Sequence, residues 1–358
     1  MIQAPGSACS PRRRTFKLTT GIGARTAGLA LGFLAAALIA AEIIARIPAV
    51  RVRLLVPGLG SSHRQFEIEM ARLEDFVAEH GTLDCVFVGS SVVGSGLDPE
   101  VFRVAHAGRS GRDIRCFNLG IFGVGASAEA AIADVVRRRY HPALLIYMVN
   151  LMDLGQAADR STAAMIASVP WVRYQRGEFT IAGWLADHSA AYREYLAYRN
   201  WTTLTYWDDL RDARAIEIRT RADGFVSAFE AGRWTDGNVG RAVVCRVDAL
   251  AAARFSEAAL HGLDTICGFH ADGVRVVLVE APAPRVRLTC SRLARLHYRQ
   301  FVDLVARRAA AAGVPFWRTL ARGPISNEGW ADSAHLNATG AAAFSRWLGE
   351  KVAASMSS

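Results

Sequence analysis

The sequence predicts an α/β fold. It is a three-layer α/β/α sandwich around a central, mostly parallel five-stranded sheet, with an N-terminal transmembrane helix and a helical, aromatic-rich insertion. Three observations predict it. Short apolar runs alternate with amphipathic stretches from about residue 83 to the C-terminus. Several of those runs are apolar on both faces, as strands of a parallel sheet covered by helices must be. The alternation breaks once, between Leu154 and about Ala242, where no apolar run suits a parallel strand.

The elements follow in order. "RQFEIEMARLEDFVAEHG" spaces Phe66, Met70, Leu73, Phe76 and Val77 for one helix face and ends at Gly81. "LDCVFVG" (83–89) is the first strand. Asp98-Pro99 opens a helix, with a capping acid followed by proline at the first helical position. "RCFNLG" (115–120) is the second strand, and "SAEAAIADVVRRRYH" is a helix with Ser127 as its expected cap. "PALLIYMVN" (142–150), "VRVVLVEAP" (274–282) and "VPFWRTL" (314–320) are strands three to five. A long amphipathic helix closed by Gly313 precedes the fifth strand, and "NATGAAAFSRWLGEKVAASM" is the last helix. The break holds Trp171, Tyr174, Phe179, Trp184, Tyr192, Tyr195, Tyr198, Trp201, Tyr206, Trp207, Phe225, Phe229 and Trp234. These rings suit a helical cap with its own small core, a groove that stacks on sugar rings or acyl chains, or both.

Charge and hydropathy divide the chain. The net charge of +9 is carried almost wholly by arginine, with lysine only at Lys17 and Lys351. Arg12, Arg13, Arg14, Lys17 and Arg25 all precede the first acid, and a charge-free run from Thr26 to Ala41 follows them. Counted on to Ala45, the run is about as long as a bilayer-spanning helix. Residues 1–25 are expected to be a cytoplasmic basic tail and 26–48 a transmembrane signal anchor, with 49–358 on the extracytoplasmic (periplasmic) side of an inner membrane. A cleaved signal peptide and a buried soluble helix are the alternatives. The basic cluster is explained by topology, and no nucleic-acid recognition motif accompanies it. Cys85 and Cys116 sit in apolar runs as small hydrophobes. Cys9 falls on the cytoplasmic side, and Cys245, Cys267 and Cys290 leave a disulfide open. No cysteine or histidine spacing suits a metal, and no cofactor is expected.

In such a sheet, ligands bind beyond the carboxyl ends of the strands. Strand one ends in Gly89-Ser90-Ser91, strand two in Asn118-Leu119-Gly120, and strand three in Val149-Asn150. "GWADSAHLNATG", before the last helix, sets Asp332 three residues ahead of His335. Acyl transfer needs a hydroxyl nucleophile, an imidazole to take its proton, a carboxylate to orient the imidazole, and donors for the oxyanion. These four places supply every part.

In that order the blocks resemble the SGNH (GDSL-type) hydrolase superfamily, from about residue 83 to the C-terminus, with the insertion at about 155–242 outside the match. "DSAHLNATGAAAFSRWL" is the most specific block. The resemblance implies the flavodoxin-like SGNH fold. It also implies Ser91 as nucleophile, Gly120 and Asn150 as oxyanion-hole residues, His335 as base and Asp332 as its partner. Ser90 stands where the family has Asp, and Met148-Val149-Asn150-Leu151 keeps only the Asn of the usual Gly-x-Asn-Asp. Asp153 lies nearby but out of register. "GSS" first blocks resemble membrane-tethered members that add or remove O-acetyl groups on envelope polysaccharides.

The reading is therefore a serine esterase or O-acyltransferase working on an acylated carbohydrate or small ester. The inner membrane is contacted through residues 26–48, and a membrane-embedded acyltransferase or polysaccharide-export protein is the expected kind of partner. The alternatives are a non-catalytic carbohydrate-binding or assembly subunit on the same fold, and a lipase or thioesterase.

Overall fold

The structure is a computed structural model that describes residues 22–51, 57–155, 163–203, 205–226, 255–284, 292–319 and 325–356. Most of the basic tail, with Cys9, Cys245, Cys290, Phe229 and Trp234, lies outside the described residues. The chain divides into two compact units, Met1–Arg53 and Leu54–Ser358. In the first, α1 (Ile22–Arg46) is followed by the single turn α2 (Pro48–Arg51). The stretch Gly23–Arg46 has a mean hydropathy of 2.2 over its most apolar window and is long and apolar enough to cross a membrane.

The second unit holds β1 (Cys85–Gly89), β2 (Cys116–Gly120), β3 (Leu144–Val149), β4 (Arg275–Glu280) and β5 (Phe316–Trp317) in one all-parallel sheet. The order is β2-β1-β3-β4-β5. Val86, Val88, Leu145, Tyr147, Val149, Val276 and Leu278 face one layer, which contains α3 (Arg64–His80). Their alternates Cys85, Phe87, Leu144, Ile146, Met148, Val277 and Val279 face the other. Helices are therefore required on both sides, and both sides have them. α3, α6 (Ala126–Tyr140), α11 (Glu257–Gly268) and α12 (Arg292–Ala311) cover the first face. α5 (Pro99–Ser110) and α13 (Ala338–Met356) cover the second.

Local chemistry sets several boundaries. Asp98 caps α5 by accepting from the N–H groups of Glu100 and Val101, with Pro99 in the first turn. α3 stops at Gly81 in the left-handed region. The start of α6 differs from expectation: its cap is Gly125, whose carbonyl takes the Ala128 and Glu129 N–H groups, and Ser127 lies inside the first turn. β5 is two residues long where seven were expected. α11 was not anticipated; Ala259, Leu263 and Ile266 recur at helical spacing and are buried.

The insertion is helical, with α7 (Pro170–Gln175), α8 (Ile181–His188), α9 (Ala190–Tyr198) and α10 (Tyr206–Arg219). Its rings divide between core and surface. Trp171, Tyr206 and Phe225 are buried, and Trp171 joins the main core and donates to Asp187. Phe179, Trp184, Tyr195, Trp201 and Trp207 are exposed. The return of the insertion, Thr220 to Val226, docks on the sheet edge. Asn118 donates its N–H to the Asp223 carbonyl (2.8 Å), and Val226 donates to the Gly94 carbonyl (2.9 Å). Arg221 holds both oxygens of Asp98 (2.8 and 2.9 Å) and also binds Asp223. The insertion thus buttresses the turn that follows β1.

Two expectations follow. Asn118, fully buried, donates its amide to the carbonyls of Val93 (2.8 Å) and Leu97 (2.6 Å) and accepts from the Gly120 N–H (2.9 Å). Asn118→Ala strands these groups, and the denaturation midpoint should fall by the equivalent of about 3 kcal/mol. Glu69 is buried, and burial, opposed in part by Arg72 and Gln65, pushes it up to about 8. The folded state then holds this proton more tightly than the unfolded one. The penalty is absent below about pH 4.5 and grows as pH rises towards 8. Glu69→Gln should therefore melt higher than the parent at pH 8–9 and match it at pH 5.

Candidate active site

The site lies at the carboxyl edge of the sheet, where β1 is flanked by β2 on one side and β3 on the other. This reversal of strand order opens a crevice between β1 and β3. Gly89 ends β1 with φ +153°; a Cβ there would stand 2.4 Å from Val93 Cγ2 and 2.9 Å from the Met148 carbonyl. The chain then makes one helical turn, α4 (Ser91–Gly94), with Ser90 at its cap position. Ser91 is the first residue of that turn, so its own N–H is not needed inside it.

Ser91, His335 and Asp332 form one hydrogen-bonded chain. Ser91 Oγ is 2.8 Å from His335 Nε2, and His335 Nδ1 is 2.8 Å from Asp332 Oδ2. The other carboxylate oxygen, Oδ1, accepts the N–H groups of Ala334 and His335, both at 2.7 Å. Burial opposes the charge on Asp332, but the His335 ring and these N–H groups outweigh it and hold the carboxyl below its usual range. A charged carboxylate only accepts, so Nδ1 carries the ring proton and Nε2 offers its lone pair to the serine hydroxyl. The loop is closed by Ala331 donating to the His335 carbonyl (2.9 Å) and by Asn337 Nδ2 donating to the Glu328 carbonyl (2.6 Å).

Asn150 follows β3 and caps a short 3₁₀ turn, Leu151–Leu154. Its Oδ1 accepts from the Met152 N–H (3.3 Å), which fixes which end of the amide is oxygen. The Nδ2 end has no partner among the described residues. Asn150 also forms part of the wall of a narrow, mostly apolar cavity of about 30 Å³ between the ends of β3 and β4 and α12, with Val149, Ala281, Pro282 and Phe301.

Gly120 differs from expectation. Its N–H is donated to Asn118 Oδ1 (2.9 Å), and a Cβ on it would lie 2.0 Å from the Gly94 nitrogen. Its service is close approach of β2 to the turn that carries Ser91. Three residues on, Gly123 is exposed at φ +74°, and its N–H has no partner among the described residues. The loop there is held by Gln65, which accepts the Phe122 N–H (2.8 Å), and by His63 Nε2, which donates to the Phe122 carbonyl (3.0 Å).

Nothing in the sequence singled out Gly123, and Asn118 and Asp153 stood in it without their partners. Asp153 is buried and accepts the Asn150 N–H through Oδ2 (2.9 Å), closing a capping box. The spacing Asn-x-x-Asp, three apart after a strand, was the available signal. Cys85, Cys116 and Cys267 are buried free thiols. Burial pushes Cys267 up to about 12.

No family model matches the chain, and no curated protein matches it. Among solved structures it is similar to a protein from Agrobacterium tumefaciens described as an arylesterase, at 15% identity over 76% of this chain and 98% of that one, with a TM-score of 0.35. An inhibitor-bound aryl esterase of M. smegmatis is 10% identical, over 76% and 99%, with a TM-score of 0.34. A carbohydrate acetylesterase from Sinorhizobium meliloti is 14% identical, over 76% and 99%, with a TM-score of 0.34. None reaches the similarity at which an activity follows from likeness, so the chemistry of this chain rests on the atoms of its own site.

Proposed function

We propose that the protein is a serine esterase or O-acyltransferase that works through an acyl-enzyme on Ser91, with an O-acetylated extracytoplasmic glycan as its substrate class. The observation that carries this reading is the unbroken hydrogen-bonded chain Ser91–His335–Asp332 at the carboxyl edge of the sheet.

The chemistry follows from the donors and acceptors. Ser91 Oγ attacks the ester carbonyl carbon while its proton passes to His335 Nε2. Asp332 remains charged and stabilises the imidazolium. The carbonyl oxygen becomes an oxyanion facing the Ser91 N–H, the Asn150 Nδ2 and the Gly123 N–H, the three donors assigned here to the oxyanion hole. Gly120 gives no donor to it, because its N–H is taken by Asn118 Oδ1. Collapse expels the alcohol, which takes the proton from Nε2 and leaves the acyl group on Ser91. Water or a sugar hydroxyl then attacks the acyl carbon and gives its proton to Nε2; the bond to Ser91 Oγ breaks, and Oγ takes that proton back. Hydrolysis and transfer differ only in that acceptor.

The same proposal places residues 1–25 in the cytoplasm, 26–48 in the inner membrane as an anchor, and residues from 49 on the periplasmic side. The apolar helix and the arginines ahead of it support this orientation. A partner that brings an acyl donor across the membrane, or exports the glycan, fits that position.

Two measurements test the reading. Ser91→Ala should abolish release of acetate from an aryl acetate, whereas Ser90→Ala should keep measurable turnover; equal loss in both, or none in either, would sink the assignment. The second measurement is a pH profile. Asp332 is held below the usual carboxylate range and stays charged, so kcat/KM should rise with pH as a neutral imidazole becomes available. Asp332→Asn, which imposes the wrong tautomer, should lower kcat by about 10³–10⁴-fold. A flat profile between pH 5 and 8 counts against a histidine base.

A further inference from the structure

Of the exposed rings in the insertion, three sit close together in the chain and have no part in the chemistry above. Tyr195, Trp201 and Trp207 are 61%, 59% and 58% exposed. They fall on one short stretch, from the end of α9 to the first turn of α10. Tyr206 ties that stretch together. Its ring meets Trp207 edge-on, with 5.2 Å between centroids, and its hydroxyl donates to the Ala197 carbonyl (3.1 Å). Trp201 donates its N–H to the Tyr198 carbonyl (2.9 Å). The rings are thus presented to solvent from a hydrogen-bonded backbone.

The chain enters the second unit against this same stretch. Gly58 donates its N–H to the Arg193 carbonyl (3.0 Å), and the Gly60 carbonyl accepts from Arg199 Nη2 (2.9 Å). A Cβ on Gly58 would stand 2.7 Å from the Ala197 nitrogen. Trp201 is four residues past Ala197, so its Cα is within about 15 Å of that contact. In the other direction, Pro57 is nine residues from Pro48, where the anchor read from the sequence ends. A chain of that length reaches about 32 Å at most, and a globular body of about 300 residues is roughly 50 Å across. The face that carries Pro57 cannot be the one farthest from the bilayer.

We propose that Tyr195, Trp201 and Trp207 dock this face on the membrane, with their rings in the headgroup layer. The inference rests on reading residues 26–48 as a membrane anchor. Tryptophan and tyrosine favour that layer, because each joins an apolar ring to a polar N–H or O–H. The tether keeps the bilayer at a high effective concentration, so a weak contact is enough. Charge gives no help: Asp208 and Asp209 follow Trp207, and Asp208 pairs with Arg211. Docking therefore draws on ring burial and not on anionic headgroups. Beyond Gly60 the same segment reaches His63, whose Nε2 donates to the Phe122 carbonyl at the wall of the site (3.0 Å). Docking holds that wall near the lipid surface.

Brominated lipid quenches tryptophan on contact. Every tryptophan of this chain lies at or beyond Trp171, outside α1, so quenching reports on the second unit alone. The test uses full-length protein in vesicles of phosphatidylcholine brominated near the headgroup end of its chains. Emission should fall by roughly a fifth relative to plain vesicles, and by less when the bromines lie near the chain ends. Trp201→Phe/Trp207→Phe should lose most of this quenching, and each single variant about half of it. Both positions are exposed, so these variants should melt with the parent. Adding anionic phosphatidylglycerol should leave the quenching of the parent in place.

Equal emission in plain and brominated vesicles, or quenching that survives in the double variant, would overturn the docking. Emission that answers to a soluble O-acetylated oligosaccharide and not to bromine would overturn it too, by giving the rings to a glycan. Flotation in alkaline carbonate separates this failure from a deeper one. Protein that floats with the vesicles but is indifferent to bromine removes the docking alone. Protein stripped from the vesicles removes the anchor, and the docking with it.

Discussion

Five parallel strands must all end on the same edge, and everything in the site depends on this constraint. β1, β2 and β3 are registered side by side, with Gly89 opposite Gly120 and Val88 opposite Tyr147. Residues that are 59 positions apart in the chain, Ser91 and Asn150, are thereby brought to neighbouring strand ends. The helical turn that carries Ser91 fits only because β2 offers no side chain at Gly120, where a Cβ would meet the Gly94 backbone. Asn118 then stitches the turn down through the carbonyls of Val93 and Leu97. His335 arrives from the opposite end of the chain, on a loop that the Asp332 carboxylate folds around itself.

Buried carboxyl groups serve opposite ends in this protein. Asp332 is surrounded by donors and is held below its usual range, so it remains a charge that can orient an imidazole. Asp153 is more deeply buried, and desolvation outweighs the donors Ser90 and Asn150 to push it up to about 7. Glu67 is also raised by burial, although Arg64 and the N–H groups of Leu59, Gly60 and Ser61 converge on it. That clamp shapes the chain entering α3, from which His63 and Gln65 hold the Phe122 loop. The segment that begins the second unit is thus mechanically connected to the wall of the site.

The legible parts of this fold were those that local physics controls. Apolar runs bounded by glycine or proline marked the strands, and Asp98-Pro99 and Gly81 marked helix ends. The illegible parts were those in which one residue serves two elements. Asn118 reads as a polar residue in a strand until its partners in the next turn are known. Asp153 reads as out of register until its carboxylate is seen to hold the Asn150 N–H. Gly120 reads as an oxyanion donor, but its N–H is already committed to Asn118. The insertion reads as a separate cap, whereas its return through Asp223 and Val226 bonds to β2 and the turn that carries Ser91.

The sequence by itself determined the α/β order and the apolar N-terminal helix, and its strand ends offered Ser91, Asn150, Asp332 and His335 as candidates. Each of these follows from periodicity, capping chemistry or residue type at strand ends, which are short-range properties. Only the tertiary structure decided which N–H groups remain free, and what Asn118 and Asp153 hold in place. Those assignments turn on hydrogen bonds between residues far apart in the chain. A buried donor or acceptor takes whichever partner the packing brings within about 3 Å, and no local pattern records that choice.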